Sequence, residues 1–335
     1  MSFPVDLTTA WALIIAFAVF MYVVMDGFDL GIGILFPAFA PGEERDQAMN
    51  AIAPVWDGNE TWLVLGGGGL LAALPLAYAI ILPATYPLII AMLLGLVFRG
   101  VGFEYRWRDS RHRAFWDFAF ASGSATAAMA QGMILGALLQ GITVSGRGYG
   151  GGWLEWLSPY SLLTGLGVVA GYALLGATFL AMKVEGRAED HAYRLAARAG
   201  WATLVMMIAV SLYTPLLDGQ YWRRWFVMPN ILFAANVPLV TVILFYALAR
   251  SLKRRRLYLP FLLSLAIFLL GMIGLGISMW PYVVPSSITI WQAAAPERSQ
   301  MFMLIGTAVI MPIILAYTGW SYWVFRGKVG AEGYH

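Results

Sequence analysis

Long apolar runs separated by short polar breaks organise this chain. The runs show no alternation that would give a helix one wet face. A helix that crosses a bilayer needs about 20 predominantly apolar residues. About nine segments reach that length, at roughly 8–34, 57–76, 78–104, 116–141, 160–183, 194–216, 229–250, 257–280 and 302–325. The pattern predicts an all-α integral membrane protein of about nine transmembrane helices. Pro75, Pro159, Pro215, Pro229 and Pro281 fall near the predicted ends, where a residue without an N–H interrupts little. Pro83, Pro87, Pro238, Pro260 and Pro312 fall inside runs or in their opening turns and predict local kinks. No polar stretch is long enough for a separate aqueous domain, so residues 1–335 read as one polytopic membrane domain. The first residues lack the basic stretch of a signal peptide, which predicts that the first run is a retained span.

Composition agrees. Hydrophobic residues make up 60% of the chain and charged residues 12%, with a mean hydropathy of +0.73. A soluble domain carries about 25% charged residues. There is no cysteine, which excludes disulfides, thiolate metal sites and iron–sulfur clusters. The net charge of +3 matters less than its distribution. One side of the predicted topology receives sixteen basic residues, in groups around Arg45, Arg106, Lys183, Arg254 and Arg326. The other receives four, Arg147, Arg223, Arg224 and Arg298. By the positive-inside rule the N-terminus lies outside and the C-terminus in the cytoplasm. Most tryptophans fall near predicted span ends, where indoles favour the headgroup zone. Gly66-Gly-Gly-Gly69 predicts either a close helix approach or a local distortion, and Gly31-Ile-Gly33 a close-packing position. The run Lys253-Arg254-Arg255-Arg256 lies between two spans and reads as a topology and lipid-headgroup signal, not a nucleic-acid site.

The candidate chemistry lies in Trp56-Asp57-Gly58-Asn59-Glu60-Thr61-Trp62, at the mouth of the second run. Asp57 and Glu60 are spaced i, i+3, as are Asp26 and Asp29 near the inner end of the first span, so each pair shares a helix face. Arg99 sits near the inner end of the third. Three successive helices therefore put buried charges at one depth on the cytoplasmic side. Four acids face one arginine. An ion-pair network centred on Arg99 accounts for part of this. A carboxyl left over, hydrated or protonated, suits proton entry from the cytoplasm. Asp57, Asp29, Asp26 and Glu60 are the candidate proton-pathway residues, with Arg99 as their charge partner.

No catalytic set is found in this chain. His112, His191 and His335 lie in predicted cytoplasmic loops or the tail, so no span offers a histidine to a haem. The sixteen methionines suit apolar filler better than ligation. Metal sites are not expected. Two rival readings stand beside the proton inlet. A proton-coupled secondary transporter would use Asp57, Asp29 and Arg99 as its coupling site, but would show internal repeats and a midplane site, and neither is evident. A purely structural scaffold would use the acids only for ion pairs.

Asp26-Gly-Phe-Asp-Leu-Gly31, Asn50-Ala-Ile-Ala-Pro-Val-Trp-Asp-Gly-Asn59, Phe98-Arg-Gly-Val-Gly-Phe-Glu-Tyr-Arg106 and Trp280-Pro-Tyr-Val-Val-Pro-Ser-Ser287 together resemble subunit II of cytochrome bd-type quinol oxidases. The likeness runs to Tyr317-Thr-Gly-Trp-Ser-Tyr-Trp323 and covers nearly the whole chain. The short loops look similar to the cyanide-insensitive branch. The resemblance implies two four-helix bundles plus one peripheral helix, the first bundle over about 1–142 and the remaining helices over about 158–325. It implies a heterodimer in the bacterial cytoplasmic (inner) membrane. Subunit I would carry the haems, of b and d type or all b, and this chain none. Membrane lipid and quinone are implied partners, with a small single-span accessory subunit in some assemblies. Some members also hold a structural quinone in subunit II. The family's proton-path aspartate falls on Asp57, with Asp29 as companion. Glu60 stands where other members carry glutamine, so the resemblance assigns it no role.

Overall fold

The computed structural model describes residues 6–330; His335 and residues 1–5 lie outside them. Helices α1 (Leu7–Leu35), α2 (Glu43–Asn50), α3 (Trp56–Ala73), α4 (Pro75–Arg108), α5 (Arg113–Leu139), α6 (Pro159–Lys183) and α7 (Gly186–Tyr213) make up the first part. Helices α8 (Gly219–Phe226), α9 (Ile231–Ala234), α10 (Asn236–Lys253), α11 (Leu259–Met279), α12 (Ile290–Ala293) and α13 (Glu297–Val324) follow. The strands are confined to two short antiparallel hairpins, β1 (Val144–Ser145) with β2 (Gly148–Tyr149) and β3 (Tyr282–Val284) with β4 (Ile288–Thr289).

The helix starts follow local chemistry. Asp6 caps α1 by accepting from the Thr9 N–H. That hydrogen bond holds the Asp6 carboxyl below its usual range. Ser158 and Ser161 form a reciprocal capping box at α6, with Pro159 at the first helical position. Pro83, Pro87 and Pro312 sit inside helices that remain continuous around them.

Among the described residues, eight helices are long and apolar enough to cross a membrane: α1, α4, α5, α6, α7, α10, α11 and α13. The expected second span is α3. It is helical over 18 residues, but its polar opening turns leave it less apolar than the others. It runs antiparallel to α1, with Asn59 beside Asp29, Gly66 beside Val19 and Gly69 beside Ile15. Its last residue, Ala73, accepts a backbone hydrogen bond from Ala295 at the opposite end. The expected span at 229–250 is broken after Ala234 into α9 and an 18-residue α10.

Helices α1, α3, α4 and α5 touch one another in a ring, and α6, α7, α10 and α11 form a second. The rings meet where α6 packs on α1 and α5, while α13 lies against α1 and α3. The α1–α6 seam is backbone on backbone. A Cβ on Gly31 would lie 1.8 Å from the Tyr172 carbonyl oxygen, and one on Gly176 2.5 Å from the Gly31 carbonyl carbon. Small residues allow this approach, which gains dispersion contacts where lipid offers no hydrophobic gain. Gly66-Gly-Gly-Gly69 does something milder. A Cβ on Gly66 or Gly69 would first meet side chains of α1, at 3.4 and 3.3 Å, Gly67 and Gly68 face open space, and α3 stays regular.

Candidate functional site

One end of the first helix ring collects the acids. Asp26 and Asp29 lie on the last turns of α1 and are fully buried. Arg99, from the inner part of α4, is 1% exposed. Its Nη1 donates to Asp26 Oδ1 at 2.6 Å. Asp29 Oδ2 is 3.8 Å from Arg99 Nη2, and Glu60 Oε2 is 3.9 Å from Nη1. The Trp56 ring lies 5.6 Å from the guanidinium, a cation–π distance. Asn59, buried on α3, donates from Nδ2 to Asp29 Oδ2 at 2.8 Å, and its Oδ1 accepts from the Tyr322 hydroxyl of α13 at 2.8 Å. Since an amide has one acceptor and one donor end, the Tyr322 bond turns the donor toward Asp29.

The pairing is incomplete. Asp26 Oδ2, Asp29 Oδ1 and Arg99 Nε have no hydrogen-bond partner in the protein. Three carboxyls share one guanidinium, and an uncompensated buried charge costs several kcal/mol after relaxation. A proton or water must relieve the excess. Glu60 keeps 29% of its side chain exposed and connects the buried pair to the surface. Asp57 is exposed on the first turn of α3 and makes no ion pair among the described residues, though it acts electrostatically on Glu60. Asp26, Asp29, Glu60 and Arg99 thus meet. Asp57 stands at the mouth of the group.

About two turns further along α4 lies a second ionic group. Arg106, fully buried, contacts Asp117 of α5 at 2.5 Å and Asp46 of α2 at 2.7 Å. Arg45 also reaches Asp117, at 2.7 Å, and Arg113 approaches Asp46 at 4.0 Å. Phe36 lies under both Arg45 and Arg106. The sequence reading counted these arginines for topology and missed their pairing, because Asp46 and Asp117 reach them only through tertiary contacts.

The chain matches the family model described as cytochrome bd terminal oxidase subunit II over residues 7–325. It belongs to the cytochrome bd terminal oxidase subunit II family. It is 31% identical to cytochrome bd-I ubiquinol oxidase subunit 2 of Escherichia coli K12, over 96% of this chain and 95% of that one. Cytochrome bd ubiquinol oxidase subunit 2 of Bacillus subtilis is 26% identical over 95% of this chain and 96% of its own. The fold is similar to a chain in the structure of bd oxidase from Geobacillus thermodenitrificans, with a TM-score of 0.76 at 18% identity, covering 96% of this chain and 98% of that one.

This bd subunit II is therefore a component of a terminal quinol oxidase, an oxidoreductase complex with a partner subunit. Among the described residues, His112 is engaged by Asp109 at 2.8 Å and His191 by Glu44 at 3.3 Å, both at helix ends, and no cluster suited to a metal ion is present. Sequence reasoning named Asn59 only within a motif and passed over Tyr22, Gln131, Tyr172 and Tyr322. Each is a single polar residue in an apolar run, which was the available signal.

Proposed function

We propose that this chain braces a haem-bearing subunit I and supplies the cytoplasmic proton inlet of a quinol:oxygen oxidoreductase. The observation that carries this reading is the excess of carboxyls over guanidinium around Arg99, with Glu60 half-exposed between Asp57 and the buried pair. Haem in the partner subunit supplies the oxygen chemistry. Quinol oxidised on the outer side releases its protons there, and the protons of the water formed come from the cytoplasm. The reaction then moves charge across the membrane without a pump. In this chain Asp57 would collect protons at the surface, Glu60 pass them inward and Asp29 hold them beside the partner.

The orientation behind this reading puts the N-terminus outside and the C-terminus in the cytoplasm, on the strength of the basic-residue asymmetry. It requires α3 to cross as the ninth span, and the register of α3 along α1 supports that. Membrane lipid and quinone are the surroundings such a subunit would meet. A scaffold reading keeps only the bracing role. Asp57→Asn and Asp29→Asn separate the two: the inlet reading expects oxidase turnover to fall at least tenfold at unchanged haem content. Unchanged turnover in both variants leaves the scaffold reading.

A further inference from the structure

Lys183, the last residue of α6, is 6% exposed, and the inlet gives it no part. Its ammonium donates to the carbonyl oxygens of Phe325 and, at 2.8 Å, Gly327, just where α13 ends. Its own carbonyl oxygen accepts from the Val329 N–H at 2.8 Å. The two helices thus cap one another, since the final carbonyls of each have no partner within their own helix. Both helix ends are negative poles, and a cation beside both offsets their repulsion. The chain from Phe325 to Gly330 continues as a strap. Lys328 pairs with Glu189 of α7 at 2.6 Å, the Gly330 carbonyl accepts from Asn50 of α2 at 3.5 Å, and Val329 packs on the core beneath.

Little else in this chain fixes α13. Among the described residues Gln300 is its buried one, and the contacts of Gln300 with Thr8 and Trp11 of α1 lie at the far end. A membrane helix gains nothing hydrophobic by leaving lipid, so packing and polar contacts set its depth and rotation. At the near end those contacts are the Tyr322–Asn59 hydrogen bond, the Tyr322 ring edge-on to Phe28 at 6.4 Å, and the Lys183 clasp. Tyr322 and Phe325 are three residues apart, about 4.5 Å along the helix axis, so holding the Phe325 carbonyl holds the turn that carries Tyr322. By contrast α6 is a firm anchor. Its backbone lies directly against α1 at Gly31 and Gly176, and Tyr172 ties it through Gln131 of α5 to Tyr22 of α1, at 2.6 and 2.7 Å.

We propose that Lys183 is a positioning residue of the acid site: it anchors the end of α13 on α6 so that Tyr322 keeps Asn59 turned donor-first toward Asp29. The role rests on the inlet reading above and adds to it a residue from the second helix ring. The path is short. Lys183 holds the Phe325 and Gly327 carbonyls, and the last turn of α13 carries the Tyr322 hydroxyl to Asn59 Oδ1 at 2.8 Å. Asn59 Nδ2 then meets Asp29 Oδ2 at 2.8 Å. With the clasp open, the final turn frays and Tyr322 withdraws. The Asn59 amide loses the contact that fixes its orientation, because its two ends differ only in donor and acceptor. Lys183 makes no ion pair among the described residues, so it acts through α13 and transfers no proton.

Hydrogen–deuterium exchange and turnover of the purified oxidase test this together. In Lys183→Met the amides at 319–325 should exchange severalfold faster, and turnover per haem should fall a few-fold, as in Tyr322→Phe. Adding Tyr322→Phe to Lys183→Met should lower turnover no further, since both variants remove the same contact at Asn59. Val329→Pro deletes the N–H donated to Lys183 and carries the same expectations should Lys183→Met fail to assemble. Unchanged exchange in an assembled variant, parental turnover despite faster exchange, or losses that multiply in the double variant each overturn the assignment. Exchange over the end of α13 reads the clasp, while turnover of Asp29→Asn reads the inlet, so the two failures are distinct.

Discussion

Arg99 and Arg106 sit about two turns apart on one helix, both buried, and their surroundings differ in a way that separates function from support. Around Arg106, three guanidinium groups share the carboxylates of Asp46 and Asp117, and two of those groups, Arg45 and Arg113, are partly exposed. Charge is roughly balanced there and the excess cation reaches water. Around Arg99 the imbalance has the opposite sign, and the outlet is an acid rather than a cation. Three carboxyls crowd one cation, and only Glu60 touches solvent. Balanced buried pairs hold helices in place, whereas an acid-rich one must exchange protons or water as conditions change.

The sharpest way to break this comparison is to remove each arginine. Arg99→Met strands Asp26 and Asp29 and should cost about 3–5 kcal/mol, as for any buried pair with one partner deleted. The assembled complex should be lost or melt far earlier, as followed by detergent-extracted yield and thermal unfolding. Arg106→Met leaves Asp46 and Asp117 with Arg113 and Arg45, so its loss should be clearly smaller. Equal losses would erase the distinction between the two groups.

Carboxyl variants come next. Asp29→Asn should lower turnover per haem at least tenfold with little change in yield. Asp117→Asn should lower yield while turnover per assembled complex stays near normal. Smaller again is Tyr322→Phe, which deletes the hydroxyl that orients Asn59. One neutral hydrogen bond is worth about 1 kcal/mol, so a few-fold fall in turnover is expected with the chain still folded.

The smallest effect concerns a partly exposed carboxylate near the Arg106 group. His112, the Trp116 indole N–H and the His112 backbone N–H hold the Asp109 carboxyl below its usual range. Its folded value is therefore below its unfolded one. The contribution to stability is present above the unfolded value and is lost as pH falls through the folded one. Acid unfolding curves of Asp109→Asn should lack that component while matching the parent near neutral pH.

Much of this molecule was legible from residue order. Apolar run length fixed where most membrane helices lie, because a bilayer leaves the backbone no partner but itself. The polar residues that remained in those runs were few enough to mark the site. Run length could not decide the standing of α3, because its opening turns are polar. Its place came from the register along α1, where Asn59 and the last glycines find their partners. Nor could it foresee the break after Ala234.

The site divides in the same way. Spacing along single helices gave Asp26 with Asp29 and Asp57 with Glu60, since the α-helical period puts i and i+3 on one face. Which acid meets Arg99 at 2.6 Å, which one stays in solvent, and which amide points at Asp29 are set by residues far apart in the chain. Tyr322 orients Asn59 across 263 positions and Gln131 reaches Tyr22 across 109. Local pattern encodes helices and depth because both depend on neighbouring residues and solvent. Charge balance depends on distances between helices, and only their packing sets those.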